Sequence, residues 1–238
     1  MGKVIALVNQ KGGVGKTTSS INLAASLGYL KKRVLLVDLD PQGNATTGVG
    51  IEKSDYDKSM YELLKGDAEI GEVIIKTKFK NLYIIPATIN LAGVDFELIE
   101  KHNQDSTFIK GSQLKKHLDE VKDQFDYIII DCPPSLGVLT TNALTAANSV
   151  IIPIQCEFFA LEGVLLTMLD CRTNLGLEVV EDIKSYFKES VYDTIIPRLI
   201  KLAEAPSHGK PIIAYAPDHI GAEAYLNLAK EVIARNGN

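Results

Sequence analysis

The chain has 238 residues, 46% hydrophobic and 23% charged, ordinary values for a soluble globular protein, and its length suits one α/β domain, or at most two small ones, with a sizeable core that needs no disulfide or metal. Three cysteines, Cys132, Cys156 and Cys171, are scattered with no CxxC pair; this argues against a disulfide framework or zinc ribbon and predicts small buried hydrophobes in a reducing compartment. The net charge of −5 predicts no general affinity for nucleic acid, so any DNA contact must come from a local basic patch.

Residues 4–8 form a short apolar run that ends at a glycine-rich turn. Beyond it Ile21, Leu23, Ala24, Leu27 and Leu30 recur at helical spacing, and residues 33–37 are a second buried-strand pattern closed by Asp38. Strand, loop, helix and strand make one βαβ unit with a right-handed crossover. Further strands are expected at 82–85, 127–130, 150–154 and 194–196, and helices at 113–122, 140–147, 178–187 and 222–234. Continuous apolar strands between amphipathic helices predict a mostly parallel, twisted sheet with helices on both faces. With no linker, repeat or low-complexity tract, residues 1–238 read as a single domain. Residues 164–169 also look like a strand, yet only nine residues separate them from Ile154. A parallel crossover takes at least ~10–12. Either 160–170 is one helix, or an expected crossover helix is missing. No apolar run approaches the ~20 residues of a membrane span, and no signal peptide is visible.

The turn reads Gln10-Lys11-Gly12-Gly13-Val14-Gly15-Lys16-Thr17-Thr18. Holding the β- and γ-phosphates of a nucleotide takes converging backbone N–H groups, a helix N-terminus and a cation. Gly12, Gly13 and Gly15 let the chain curl closely; Lys16 can reach the phosphate oxygens, and the Thr17 hydroxyl can ligate Mg²⁺. The first glycine of the common pattern G-x-x-x-x-G-K-[ST] would fall on Gln10, and a second lysine, Lys11, opens the loop instead. A Mg²⁺–ATP site also needs carboxylates at the ends of neighbouring strands. Asp131, after the strand at 127–130, suits the Mg²⁺ hydration shell. Asp38 and Asp40, in Asp38-Leu39-Asp40-Pro41-Gln42-Gly43-Asn44, offer a group to position or activate the attacking water. Cys132-Pro133-Pro134 follows Asp131 where many ATPases place a glutamate, so the base is expected from the Asp38/Asp40 turn. His102, His117, His208 and His219 show no metal-ligand spacing.

These motifs, with Asp131-Cys132-Pro133-Pro134-Ser135 and Ser207-His208-Gly209-Lys210-Pro211, resemble the deviant Walker A branch of the P-loop NTPases, and within it the ParA/Soj partitioning ATPases. The resemblance spans nearly the whole chain. It implies ATP hydrolysis with Mg²⁺ and a sandwich homodimer in which Lys11 reaches the other subunit's nucleotide and Gly12 lies at the close approach. It also implies roles for Asp40 at the hydrolytic water and Asp131 at the Mg²⁺ site. Non-specific DNA binding would run through Arg172 and Lys201, the latter where arginine is usual, and a ParB-type partner would stimulate hydrolysis. The implied location is cytoplasmic, on the nucleoid when ATP is bound. Relatives carry about two dozen more residues between Gly163 and Val164, so a shortened crossover near 155–170 is expected. Two other readings are a degenerate nucleotide-binding paralogue with impaired dimerisation and a MinD-like membrane-surface ATPase. The weakly apolar sequence near the C-terminus speaks against stable membrane association.

Overall fold

Strands that are apolar at every position must be covered on both faces, and the sheet is built that way. The computed structural model describes residues 2–135, 137–155, 164–169, 180, 183–184, 187 and 190–236. Its strands are β1 (Lys3–Leu7), β2 (Val34–Asp38), β3 (Ile75–Lys76), β4 (Leu82–Ile85), β5 (Tyr127–Asp131), β6 (Ser149–Gln155), β7 (Val164–Leu169) and β8 (Ile196–Pro197). Among the described residues the helices are α1 (Lys16–Tyr29), α2 (Asn44–Gly48), α3 (Met60–Lys65), α4 (Ile70–Val73), α5 (Val94–Gln104), α6 (Gln113–Val121), α7 (Val138–Ala146), α8 (Ile200–Ser207), α9 (Ile212–Tyr215) and α10 (Ile220–Arg235). The strands form one sheet, ordered β3-β4-β2-β5-β1-β6-β7-β8. Each pairing is parallel except β3 with β4.

Successive side chains point to opposite faces. Ile5, Leu7, Leu36 and Ile129 therefore enter one core, with Leu23 of α1 and Tyr225 of α10. Val4, Ala6, Leu35 and Ile128 enter the other, with Leu63 of α3, Leu98 of α5 and Leu118 of α6. The expected strand at 194–196 lies slightly later, at β8. Of the helix expected at 178–187, Val180, Ile183, Lys184 and Phe187 are helical and the rest lies outside the described residues.

The alternative of a helix over 160–170 is overturned for the part described, because β7 is a strand parallel to β6. The short connection closes because of register. Ile152 pairs with Val164 and Gln155 with Thr167, so the chain leaving Gln155 has only three residues, about 10 Å, of strand to retrace. One face of β6 is less buried than β5. Val150 and Ile152 are half-buried, whereas β5 is buried at every position. On that face, among the described residues, Val164 and Leu166 pack in a small cluster with Ile183 and Val191.

Candidate nucleotide site

The loop between β1 and α1 lies at the C-terminal edge of the sheet, with β5 and β6 on either side of β1. Gly13 and Gly15 have φ of +74° and +83°, the left-handed conformation that glycine adopts without strain. A Cβ on Gly12 or Gly13 would meet nothing within 4 Å, so the loop borders open space. Its underside is propped by the chain. The Thr167 hydroxyl of β7 donates to the Val14 carbonyl at 3.1 Å. Asn9 accepts from the Lys11 N–H at 2.9 Å and donates to the Pro153 carbonyl of β6 at 2.8 Å.

The two lysines occupy opposite environments. Lys16 is buried, and its Nζ donates to the Lys11 carbonyl at 3.1 Å. Burial pushes its pKa down, while the charges of Asp131 and Asp40 oppose that shift. Lys11 is exposed at the outer edge of the loop. Thr17 and Thr18 are half-buried in the first turn of α1.

β2 and β5 pair in register, so Asp38 and Asp131 are direct neighbours at the strand ends, and both are fully buried. Burial is the main cause that raises both carboxyl pKa values; Asp38 raises that of Asp131 further, while the Thr17 and Ser20 hydroxyls draw it back. Asp131 Oδ1 accepts from the Ser20 hydroxyl at 2.8 Å, and Oδ2 is buried with no hydrogen-bond partner among the described residues. Both oxygens of Asp38 are engaged: Oδ2 accepts from the Thr46 N–H at 2.8 Å and its hydroxyl at 2.7 Å, and Oδ1 accepts from the Asp40 N–H at 3.1 Å. Asp40 is 8% exposed, and its Oδ1 accepts from the Gln42 N–H at 2.9 Å. The alternatives that the sequence leaves open therefore differ in geometry: Asp38 anchors the turn, and Asp40 lies toward its surface.

Three participants carried no recognised signal. Ser20 lies three residues after Thr17, on the same face of a helix, and could have been found. Thr46 and Thr167 meet the site only through the fold. Lys201 is exposed on the first turn of α8 and lines, with Gly13, Thr18 and Tyr225, a cleft of about 1040 Å³. Arg172 lies outside the described residues, as do Cys156 and Cys171. Cys132 is buried, and the described residues hold no grouping of His, Cys, Asp and Glu suited to a metal. His219 instead caps α10 by accepting from the Gly221 N–H.

A parallel sheet flanked by helices, with a glycine loop between its first strand and helix and acids at adjacent strand ends, defines a P-loop nucleoside triphosphatase. A family model described as "AAA domain" matches residues 2–201. The chain belongs to the Soj/ParA family of chromosome-partitioning ATPases. It is 55% identical to the sporulation initiation inhibitor protein Soj of Bacillus subtilis, over 98% of this chain and 99% of that protein. It is 48% identical to the chromosome-partitioning ATPase Soj of Treponema pallidum, over 100% and 99%. Among solved structures it resembles a cobyrinic acid a,c-diamide synthase from Mycobacterium smegmatis with bound ADP and magnesium, with a TM-score of 0.82, 33% identity and coverage of 100% and 97%. The Bacillus comparison runs over 257 positions against a chain of 238 residues, so that relative carries sequence this chain lacks.

Proposed function

We propose that this partitioning ATPase pairs two copies through ATP, binds DNA without sequence preference while paired, and is released when a ParB-type partner stimulates hydrolysis. One observation carries the reading: the loop holds one lysine buried against its own backbone and another exposed at its rim, beside a glycine that borders open space. A subunit's own phosphates need the inner cation. The outer one is placed to serve a nucleotide held by a facing copy.

The residues fit Mg²⁺–ATP. Asp131 Oδ2 is a buried oxygen with no hydrogen-bond partner among the described residues, which is costly unless something engages it, and the Thr17 hydroxyl acts on the same carboxyl. Oxygen donors of this kind suit Mg²⁺, which when bound neutralises charge on the β- and γ-phosphates. Backbone amides of residues 12–18 and the α1 N-terminus hold the phosphates. Lys16 turns from the Lys11 carbonyl to the β/γ oxygens. Lys11 of the facing copy offsets charge on the transferred phosphoryl group, and Asp40 orients the attacking water and takes its proton. The cleft beside Thr18 and Tyr225 has room for base and ribose. Arg172 and Lys201 supply DNA contacts. No helix among the described residues is long and apolar enough to cross a membrane; we place the protein in the cytoplasm, on the nucleoid when ATP-bound, without stable membrane association.

Size-exclusion chromatography with light scattering tests the pairing. Asp40→Ala protein should be monomeric alone and dimeric with ATP and Mg²⁺; a monomer under both conditions overturns the proposal. In the same assay Gly12→Val should give no ATP-dependent dimer. The added Cβ meets nothing within 4 Å in its own subunit, so stability should stay within about 0.5 kcal/mol and ATP binding should persist. A Gly12→Val protein that dimerises normally would remove Gly12 from the interface.

A further inference from the structure

The chain carries a concentrated cationic surface far in sequence from Lys201. Residues 28–33 hold Lys31, Lys32 and Arg33, and residues 74–83 hold Lys76, Lys78 and Lys80; neither segment contains an Asp or Glu. The fold joins them. Asn81 Nδ2 donates to the Gly28 carbonyl at 3.0 Å, and the Val34 N–H donates to the Asn81 carbonyl at 2.9 Å. Gly28 also permits the close approach, because a Cβ there would collide with the Lys80 carbonyl. Two left-handed residues, Lys31 at φ +66° and Asn81 at φ +56°, turn the chain at this junction.

Lys31, Arg33, Lys76, Lys78 and Lys80 are exposed and Lys32 is half-buried. None of the five lysines forms an ion pair with a described residue. Asp126, also exposed, accepts from the Arg33 N–H at 2.7 Å and is an acid at the edge of this surface. By contrast, the surface around Lys201 also exposes Glu204, Asp218 and Glu223. In a chain of net charge −5, six cations on two acid-free segments create a local field that attracts a polyanion.

We propose that this surface is a phosphate-backbone contact for duplex DNA, additional to Lys201. It rests on the DNA-binding reading above. A lipid surface fits less well, because insertion needs bulky apolar side chains among the cations. Here Leu30, Ile75 and Phe79 pack against the core, and Tyr29 is the large hydrophobic residue left exposed in the two segments. Lysines fixed on a turn and a hairpin contact phosphates without reading bases, which matches binding without sequence preference.

The test compares the unsubstituted chain, a Lys31→Gln/Lys78→Gln/Lys80→Gln variant and the corresponding triple Lys→Arg variant, all with ATP and Mg²⁺, across a salt series. The probes are a mixed-sequence DNA duplex and phosphatidylglycerol vesicles. The Gln variant should lose roughly tenfold or more in DNA affinity, and its log–log salt slope should flatten by about 0.9 for each lost contact. Basal ATP turnover should be unchanged, and the Arg variant should keep both affinity and slope. Unchanged DNA affinity and slope in the Gln variant, or a loss confined to vesicle binding, overturns the surface. DNA binding abolished by Lys201→Ala but kept by the Gln variant overturns this surface alone. No ATP-dependent DNA binding by the unsubstituted chain overturns the proposed function with it.

Discussion

Lys16→Ala is expected to abolish ATP turnover, and with it ATP-dependent pairing and DNA binding. Lys16 is the buried cation of the loop, in the electrostatic field of Asp131 and Asp40. Alanine leaves the phosphate cradle without its buried ammonium group. Removing a single preorganised group that stabilises transition-state charge typically costs about 10²–10³-fold in turnover. The fold should survive, because the substitution also removes the cost of burying an ammonium group. Thermal melting separates the two effects. At ATP about 100-fold above its Kd, binding adds about 2.7 kcal/mol. For a chain of this size 1 kcal/mol shifts the midpoint by about 2–4 °C. The unsubstituted protein should therefore gain roughly 5–11 °C with Mg²⁺–ATP, and Lys16→Ala should gain almost none. An equal gain in both proteins would move the nucleotide away from this loop.

How much of this was legible beforehand depended on how each element announces itself. The central strands were, because residues 33–37 and 127–130 are apolar without interruption and end in acids. The phosphate loop was legible because glycine and lysine at fixed spacing state a backbone requirement directly. α5 was missed because among its eleven residues only Val94 and Leu98 are buried, too few to mark a helical stripe. The edge strand β3 has only two residues, and its antiparallel pairing is a tertiary choice. α8 was hidden by Pro206, which falls in its last turn. Within the site, strand pattern and spacing alone did not separate Asp38 from Asp40; only the family resemblance singled out Asp40. Their difference rests on Thr46, eight residues from Asp38, whose hydroxyl both donates to Asp38 and accepts from the Ala87 N–H at 3.0 Å. The short β6–β7 connection looked forbidden because chain length alone gives no register. Once Val164 is known to pair with Ile152, the required return is brief.

The two aspartates of the β2 turn should part company when each is replaced. Asp38→Ala removes the acceptor for the Thr46 N–H, the Thr46 hydroxyl and the Asp40 N–H, all in a fully buried setting. Leaving a buried donor unsatisfied costs about 1–3 kcal/mol. Relief of the repulsion between Asp38 and Asp131 returns part of this, so a net loss of about 2–4 kcal/mol is expected. That should lower the melting midpoint by roughly 5–15 °C. Asp40→Ala loses one bond, to the Gln42 N–H at the edge of the turn, and should change stability by no more than about 1 kcal/mol. Turnover should fall about 10²–10⁴-fold, the usual worth of a positioned general base, while Mg²⁺–ATP still binds and the two copies stay paired. Melting curves with single-turnover hydrolysis on both variants decide the matter. A stable Asp38→Ala protein that cannot hydrolyse ATP, beside an unstable but active Asp40→Ala protein, would reverse the assignment: the buried carboxylate would be the one that meets the water.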